Sequence, residues 1–237
     1  MEIKGLAILI DPEKCNSADQ VKRLTERLSD ERLYADGIYH GPAMIMVGGS
    51  TGTDSQWLVS QLKQTLSLPI VLFPGNAEQF TPEADYLLYL SLLSGTNPDY
   101  LVGQQIRSAR AVHESGIRVI PTGYILIDGG VETSTMRVTH TRPIPMDDID
   151  RIVNTAIAAQ LMGKQAVYLE AGSGALRAVS TDIIAAVRKQ VSITLIVGGG
   201  IRTPEAMRAA YEAGADIVVI GNHLEAHPDE LIQFCEA

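Results

Sequence analysis

The chain has 237 residues, 46% of them hydrophobic, enough for one α/β barrel or two small domains around a substantial core. A formal net charge of −9 argues against non-specific nucleic-acid binding and against a polybasic grip on anionic lipid. No apolar run approaches the ~20 residues of a spanning helix, the first turn is charged too early for a signal peptide, and Cys15 and Cys235 lie too far apart for metal-ligand spacing, so a cytoplasmic protein without stable membrane insertion is expected.

In chain order, residues 6–10 form a short apolar run that reads as a buried strand, ended at once by Asp11-Pro12-Glu13-Lys14. Ser17 opens a helix to about Leu28, with Val21, Leu24 and Leu28 on one face. A second strand at 43–47 runs into Gly48-Gly49-Ser50, and Asp54 is read as the cap of a helix through Trp57, Leu58, Leu62 and Leu66. The third strand is 69–73. Residues 74–84 alone separate it from a fourth at 85–90. A crossover helix with its turns needs about a dozen residues or more, so a short helical turn or an extended piece is expected there.

Asn97-Pro98 opens a helix to about Ser115, with Leu101, Ile106, Ala109 and Val112 expected inward. Residues 118–127 read as a strand in which Pro121 and Gly123 predict a kink or bulge. Residues 128–144 show no clean period and predict a long mobile loop, of a length often used for lids. Asp147 or Asp148 caps a helix to about Met162. The sixth strand, 166–170, ends in a glycine-rich loop at 171–175, and a helix follows at 179–190. The seventh strand, 193–197, meets Gly198-Gly199-Gly200; Thr203 and Pro204 then start a helix that Gly214 stops. The eighth strand, 217–220, ends in Gly221-Asn222, and 228–235 forms a short closing helix. The pattern predicts a single (β/α)8 barrel domain over 1–237 with the third crossover helix shortened or missing. A doubly wound open sheet, the main competitor, would not need an eighth strand followed by a final helix.

Barrel active sites form at the C-terminal ends of the strands, and the loops after strands seven and eight commonly hold a phosphate. Gly199, Gly200, Gly221 and Asn222 fit that use, because glycines let several N–H groups converge on one anion; the alternative is that they only make tight turns. Asp11 sits where a Mg²⁺ ligand would, with Ser50 able to add a hydroxyl, or else it caps the following turn. Glu170, one residue before a glycine loop, fits a general base or a hydroxyl acceptor, or else an ion pair. Tyr168 points to the same side of its strand.

Leu-Ile-Asp-Pro-Glu-Lys (9–14), Val-Gly-Gly-Ser (47–50), Leu-Ser-Leu-Leu-Ser-Gly-Thr-Asn-Pro (90–98), Tyr-Leu-Glu-Ala-Gly-Ser-Gly-Ala (168–175), Gly-Gly-Gly-Ile-Arg (198–202) and Gly221-Asn222 together resemble the geranylgeranylglyceryl phosphate synthase family over nearly the whole chain. The resemblance implies a prenyltransferase that joins a polyprenyl diphosphate to the 3-hydroxyl of sn-glycerol 1-phosphate. It implies Mg²⁺ held by Asp11 and Ser50. Glycerol phosphate would bind along Tyr168, Leu169, Glu170, Ala171, Gly172, Ser173 and Gly174, with its phosphate on Gly199, Gly200, Gly221 and Asn222. Glu170 would accept the hydroxyl proton. It further implies a homo-oligomer, dimer or hexamer, in transient contact with membrane. Two rivals share the phosphate loops: a phosphoribosyl-sugar isomerase or indole-glycerol-phosphate type barrel, which usually needs a second acid or a catalytic lysine, and a non-catalytic phosphate-ligand sensor.

Overall fold

The computed structural model describes residues 4–35, 38–49 and 55–236. Eight parallel strands close into a barrel: β1 (Gly5–Ile10), β2 (Met44–Val47), β3 (Ile70–Leu72), β4 (Tyr86–Leu92), β5 (Arg118–Leu126), β6 (Ala166–Glu170), β7 (Thr194–Gly198) and β8 (Ile217–Ile220). Each strand pairs with its neighbours in chain order, and β8 returns to β1 through Gly5↔Ile217 to Ile8↔Ile220. A two-stranded antiparallel ribbon, Tyr34–Ala35 with Ile38–Tyr39, lies outside the barrel. Side-chain alternation splits the core in two. Ala7, Met44, Met46, Val71, Leu88, Tyr124, Tyr168, Ile196 and Val219 fill the barrel interior. Ile8, Ile45, Ile70, Leu87, Ile125, Leu169, Val197 and Val218 face outward beneath the helices.

Those helices are α1 (Ala18–Leu28), α2 (Gln56–Thr65), α3 (Gln104–Ser115), α4 (Ser134–Thr139), α5 (Ile149–Leu161), α6 (Thr181–Gln190), α7 (Pro204–Glu212), α8 (Asn222–Ala226) and α9 (Leu231–Cys235). Several start as the sequence predicts. Ser17 forms a capping box with Gln20, Asp148 accepts the Arg151 N–H, and Thr203 accepts the Ala206 N–H ahead of Pro204. The expected Asp54 cap lies outside the described residues.

No crossover helix joins β3 to β4; a single 3-10 turn, Ala77–Gln79, stands in its place. Asn76 caps it by accepting the Glu78 and Gln79 N–H groups at 2.9 and 3.3 Å. Buried Gln79 ties the turn to the barrel, donating to the Gly49 carbonyl at 3.0 Å and accepting the Gly75 N–H at 2.7 Å. Gln104 holds its far side by accepting the Ala77 N–H at 2.8 Å. The flank of the barrel between this turn and α3 is therefore not covered by a full helix.

Three expectations need correction. The helix after Asn97-Pro98 begins with a π turn, Asp99–Gly103, in which Gln104 N–H donates to Asp99 five residues back. That extra residue rotates everything downstream. Ile106 is 68% exposed and Ala109 is also exposed, while Gln105, Ser108 and Val112 turn inward. Second, β5 has no bulge: its register on β4 is unbroken from Tyr86↔Arg118 to Leu92↔Tyr124. Pro121 still offers its carbonyl, which accepts the Gln165 N–H at 2.7 Å. Gly123 is there for close packing, since an added Cβ would lie 2.7 Å from the Ala159 Cβ and 2.9 Å from Leu93 Cδ1. Third, the 128–144 segment is not wholly irregular. Thr133 caps α4, Ile127 bridges to Ile144, and Asn97 donates to the Thr139 carbonyl at 2.8 Å.

Gly123→Ala should destabilise the fold by about 1–3 kcal/mol, the usual cost of one methyl forced into a packed core. Urea denaturation measures it; an unchanged midpoint would show that α5 shifts freely away from β5.

Candidate active site

The C-terminal ends of the strands surround a cavity of about 750 Å³. Its upper part is polar. Asp11 and Lys14 come from the end of β1, Gly48 and Gly49 from β2, Glu170, Gly172, Ser173 and Gly174 from β6, Gly199 and Gly200 from β7, and Gly221 and Asn222 from β8. Its other arm is apolar. It is lined by Phe73, Tyr124, Leu88 and Leu90 inside the barrel and by Phe80, Leu87, Tyr89, Ser108 and Val112 on the flank beside the 77–79 turn. Ser134, Thr135 and Thr139 of α4 line the same cavity, so the segment expected as a lid does border it.

Glu170 is 6% exposed, at the last position of β6. Its Oε1 accepts the Gly172 N–H at 2.7 Å. Burial pushes its carboxyl up to about 7, against the opposing pull of the Gly172 N–H and the Tyr168 hydroxyl. The loop after β7 closes directly over it. Gly199 has φ +82°, and a Cβ there would run into Glu170 Oε1 and lie 2.6 Å from the Gly172 backbone N, so a side chain is strongly disfavoured there.

Below Glu170, the fully buried Tyr168 ring stacks on Phe73 at 5.1 Å and meets Tyr124 edge-on at 5.5 Å. The Tyr168 hydroxyl is close enough to favour the Glu170 anion but misses hydrogen-bond geometry, and it has no partner among the described residues. A buried hydroxyl left that way costs free energy unless a ligand satisfies it.

Asp11 is half-buried at the opposite side of the mouth, its Oδ1 accepting the Glu13 N–H at 3.0 Å. It leans over Gly49, where an added Cβ would lie 2.8 Å from that oxygen. Ser50, the other expected metal ligand, lies outside the described residues. No group of three or more His, Cys, Asp or Glu side chains suited to a metal occurs among the described residues. A lone carboxylate fits Mg²⁺ only in the mode where substrate phosphates and water complete the shell.

Of the sequence-predicted residues, Asp11, Tyr168, Glu170, Gly172, Ser173, Gly174, Gly199, Gly200, Gly221 and Asn222 border one cavity. Leu169 and Ala171 do not; their side chains pack in the outer core. Sequence reasoning gave no role to two residues that bridge the mouth. Lys14 Nζ donates to Asn222 Oδ1 at 2.7 Å and pairs with Glu225 Oε2 at 2.8 Å, while Asn222 Nδ2 donates to Ser173 Oγ at 2.7 Å. The local sequence carries no signal for this pairing, since Lys14 and Glu225 lie 211 positions apart.

Comparison with known proteins matches residues 2–237 to the PcrB family. The chain is 47% identical to a geranylgeranylglyceryl phosphate synthase of Zunongwangia profunda over 94% of this chain and 91% of that one. It is 40% identical to the Chitinophaga pinensis enzyme of the same name, over 99% and 90%. Its fold superposes on the crystal structure of (S)-3-O-geranylgeranylglyceryl phosphate synthase from Thermoplasma acidophilum in complex with sn-glycerol-1-phosphate, with TM-score 0.86 and 34% identity over 99% of this chain and 93% of that one.

The elevated Glu170 carboxyl makes a prediction about stability. Its folded value of about 7 exceeds the ordinary 4.5, so the native state holds a proton that the unfolded chain releases. Glu170 therefore costs stability progressively as pH rises from 4.5 to 7. Glu170→Gln should raise Tm at pH 8 by roughly 5–10 °C, about 3 kcal/mol at about 2–4 °C per kcal/mol for a chain of this size. The gain should shrink towards pH 5; a difference independent of pH would contradict the assignment.

Proposed function

The chain belongs to the PcrB family, and on that premise we propose that it is a geranylgeranylglyceryl phosphate synthase. As one barrel domain it forms an ether between a polyprenyl diphosphate and the 3-hydroxyl of sn-glycerol 1-phosphate, releasing diphosphate. The observation that carries this reading is a buried acid with an elevated pKa lying between a glycine-lined polar mouth and an apolar slot.

The glycine turns after β6, β7 and β8 supply N–H groups for the phosphate, and Ser173 and Asn222 add side-chain bonds. Glu170 and the unpartnered Tyr168 hydroxyl hold the glycerol hydroxyls. Mg²⁺ on Asp11, joined by Ser50, would neutralise charge on the departing diphosphate. As the allylic C–O bond breaks, its electron pair leaves with diphosphate. The glycerol O3 then bonds to the prenyl C1, and the O3 proton passes to Glu170. An acid with pKa near 7 is matched to that task at neutral pH. The Phe73–Tyr124–Tyr168 cluster and the leucines of β4 keep water from the allylic centre. The enzyme works in the cytoplasm as a homo-oligomer. No described helix is long and apolar enough to cross a membrane, and exposed Val102 and Ile106 beside the slot suit transient contact with one.

The direct test is product mass analysis with sn-glycerol 1-phosphate and donors of increasing prenyl length. An ether product with diphosphate release supports the reading, and the length giving the highest kcat/KM identifies the donor. Absence of product with every donor discards it in favour of a binding or isomerase barrel. Two variants probe the roles. Glu170→Gln should keep glycerol phosphate affinity and lower kcat by about 10²–10⁴-fold; near-normal turnover would remove Glu170 as base. Asp11→Asn should raise the Mg²⁺ concentration needed for half-maximal rate, and an unchanged Mg²⁺ dependence would discard Asp11 as its ligand.

A further inference from the structure

The polar mouth is crowded with acid. Asp11, Glu13, Glu170 and Glu225 all border a cavity meant, on the reading above, for a phosphate monoester. The basic side chains bordering it among the described residues are Lys14 and Arg202, with His223 and His227. Arg202 is committed to structure, its guanidinium donating to the Ala175 and Leu176 carbonyls. His223 is paired with Glu230 at 2.8 Å, and its ring lies 5.0 Å from that of His227.

Lys14 differs from both. Its ammonium bonds to side chains alone, Asn222 Oδ1 at 2.7 Å and Glu225 Oε2 at 2.8 Å, and its side chain is 50% exposed. Asn222 is itself bonded to Ser173, so the ammonium stands at the edge of the cup formed by the β6 and β8 turns. Glu225 is 26% exposed and its other oxygen accepts the Asp11 N–H at 3.4 Å, so it stays anchored without the lysine. An ion pair open to water on its lysine side contributes little to stability, so exchanging the ammonium's anion costs little.

We propose that Lys14 is a phosphate-binding residue held in reserve. In the empty mouth Glu225 occupies its ammonium. On entry of sn-glycerol 1-phosphate, a phosphate oxygen replaces the Glu225 carboxylate while the Asn222 bond is kept. Glu225 thereby acts as a competing internal anion that lowers affinity for the substrate phosphate. This rests on the function proposed above and adds to it a charged contact and a built-in competitor.

The test is calorimetric binding of sn-glycerol 1-phosphate, and separately of inorganic diphosphate with Mg²⁺, to the full chain and three variants. Lys14→Met should weaken glycerol phosphate binding about tenfold or more, the size of a charge-assisted hydrogen bond. Lys14→Arg should recover most of it. Glu225→Gln should tighten glycerol phosphate severalfold by removing the competitor. Diphosphate affinity should stay within about twofold in all three. If the clasp only seats the loop after β8, Lys14→Met and Glu225→Gln would both weaken binding, which overturns the proposal. So would unchanged affinity in Lys14→Met, or a loss confined to diphosphate. Wild-type protein that binds glycerol phosphate but makes no ether refutes the synthase reading while leaving the lysine contact measurable; wild-type protein that does not bind it refutes both.

Discussion

The structure turns on keeping a carboxyl group dry. Glu170 ends β6 at 6% exposure, and the chain arranges two glycine loops and a tyrosine around it. The Gly172 N–H offsets part of the desolvation, and the rest remains as an elevated pKa. That residual cost is carried by a barrel whose two apolar layers are otherwise well filled. The same closeness that dries the acid forbids a side chain at Gly199, so the glycine turns serve the acid below them as well as any anion above.

Much of this was readable beforehand because barrel strands carry their information locally. A buried parallel strand is an apolar run, and its C-terminal end is marked by a break in that run. Asp11, Glu170 and the glycines of 199–200 and 221 stand at such breaks, so their convergence follows once eight strands are counted. The missing crossover helix was legible for a simpler reason: eleven residues, 74–84, leave no room for one.

The failures share a cause. The inward face of α3 escapes its sequence period because the π turn at Asp99–Gly103 inserts one residue ahead of it. Gly123 reads locally as a kink or bulge, whereas what requires glycine there is the Ala159 side chain, thirty-six positions away. The Lys14–Asn222–Glu225 clasp joins the two ends of the chain, and nothing in the local pattern of either end announces the other. Pairings that depend on ring closure become visible only when the ring is drawn.

The open flank beside the Ala77–Gln79 turn has a kinetic corollary. In a barrel with every helix in place, both reactants would queue at one doorway along the axis, and whichever came second would have to clear the first. Here, on the function proposed above, an apolar tail fits along the flank beside that turn while a phosphate monoester meets the glycine turns. On that function, two separate approaches would remove any steric reason for a compulsory order of addition.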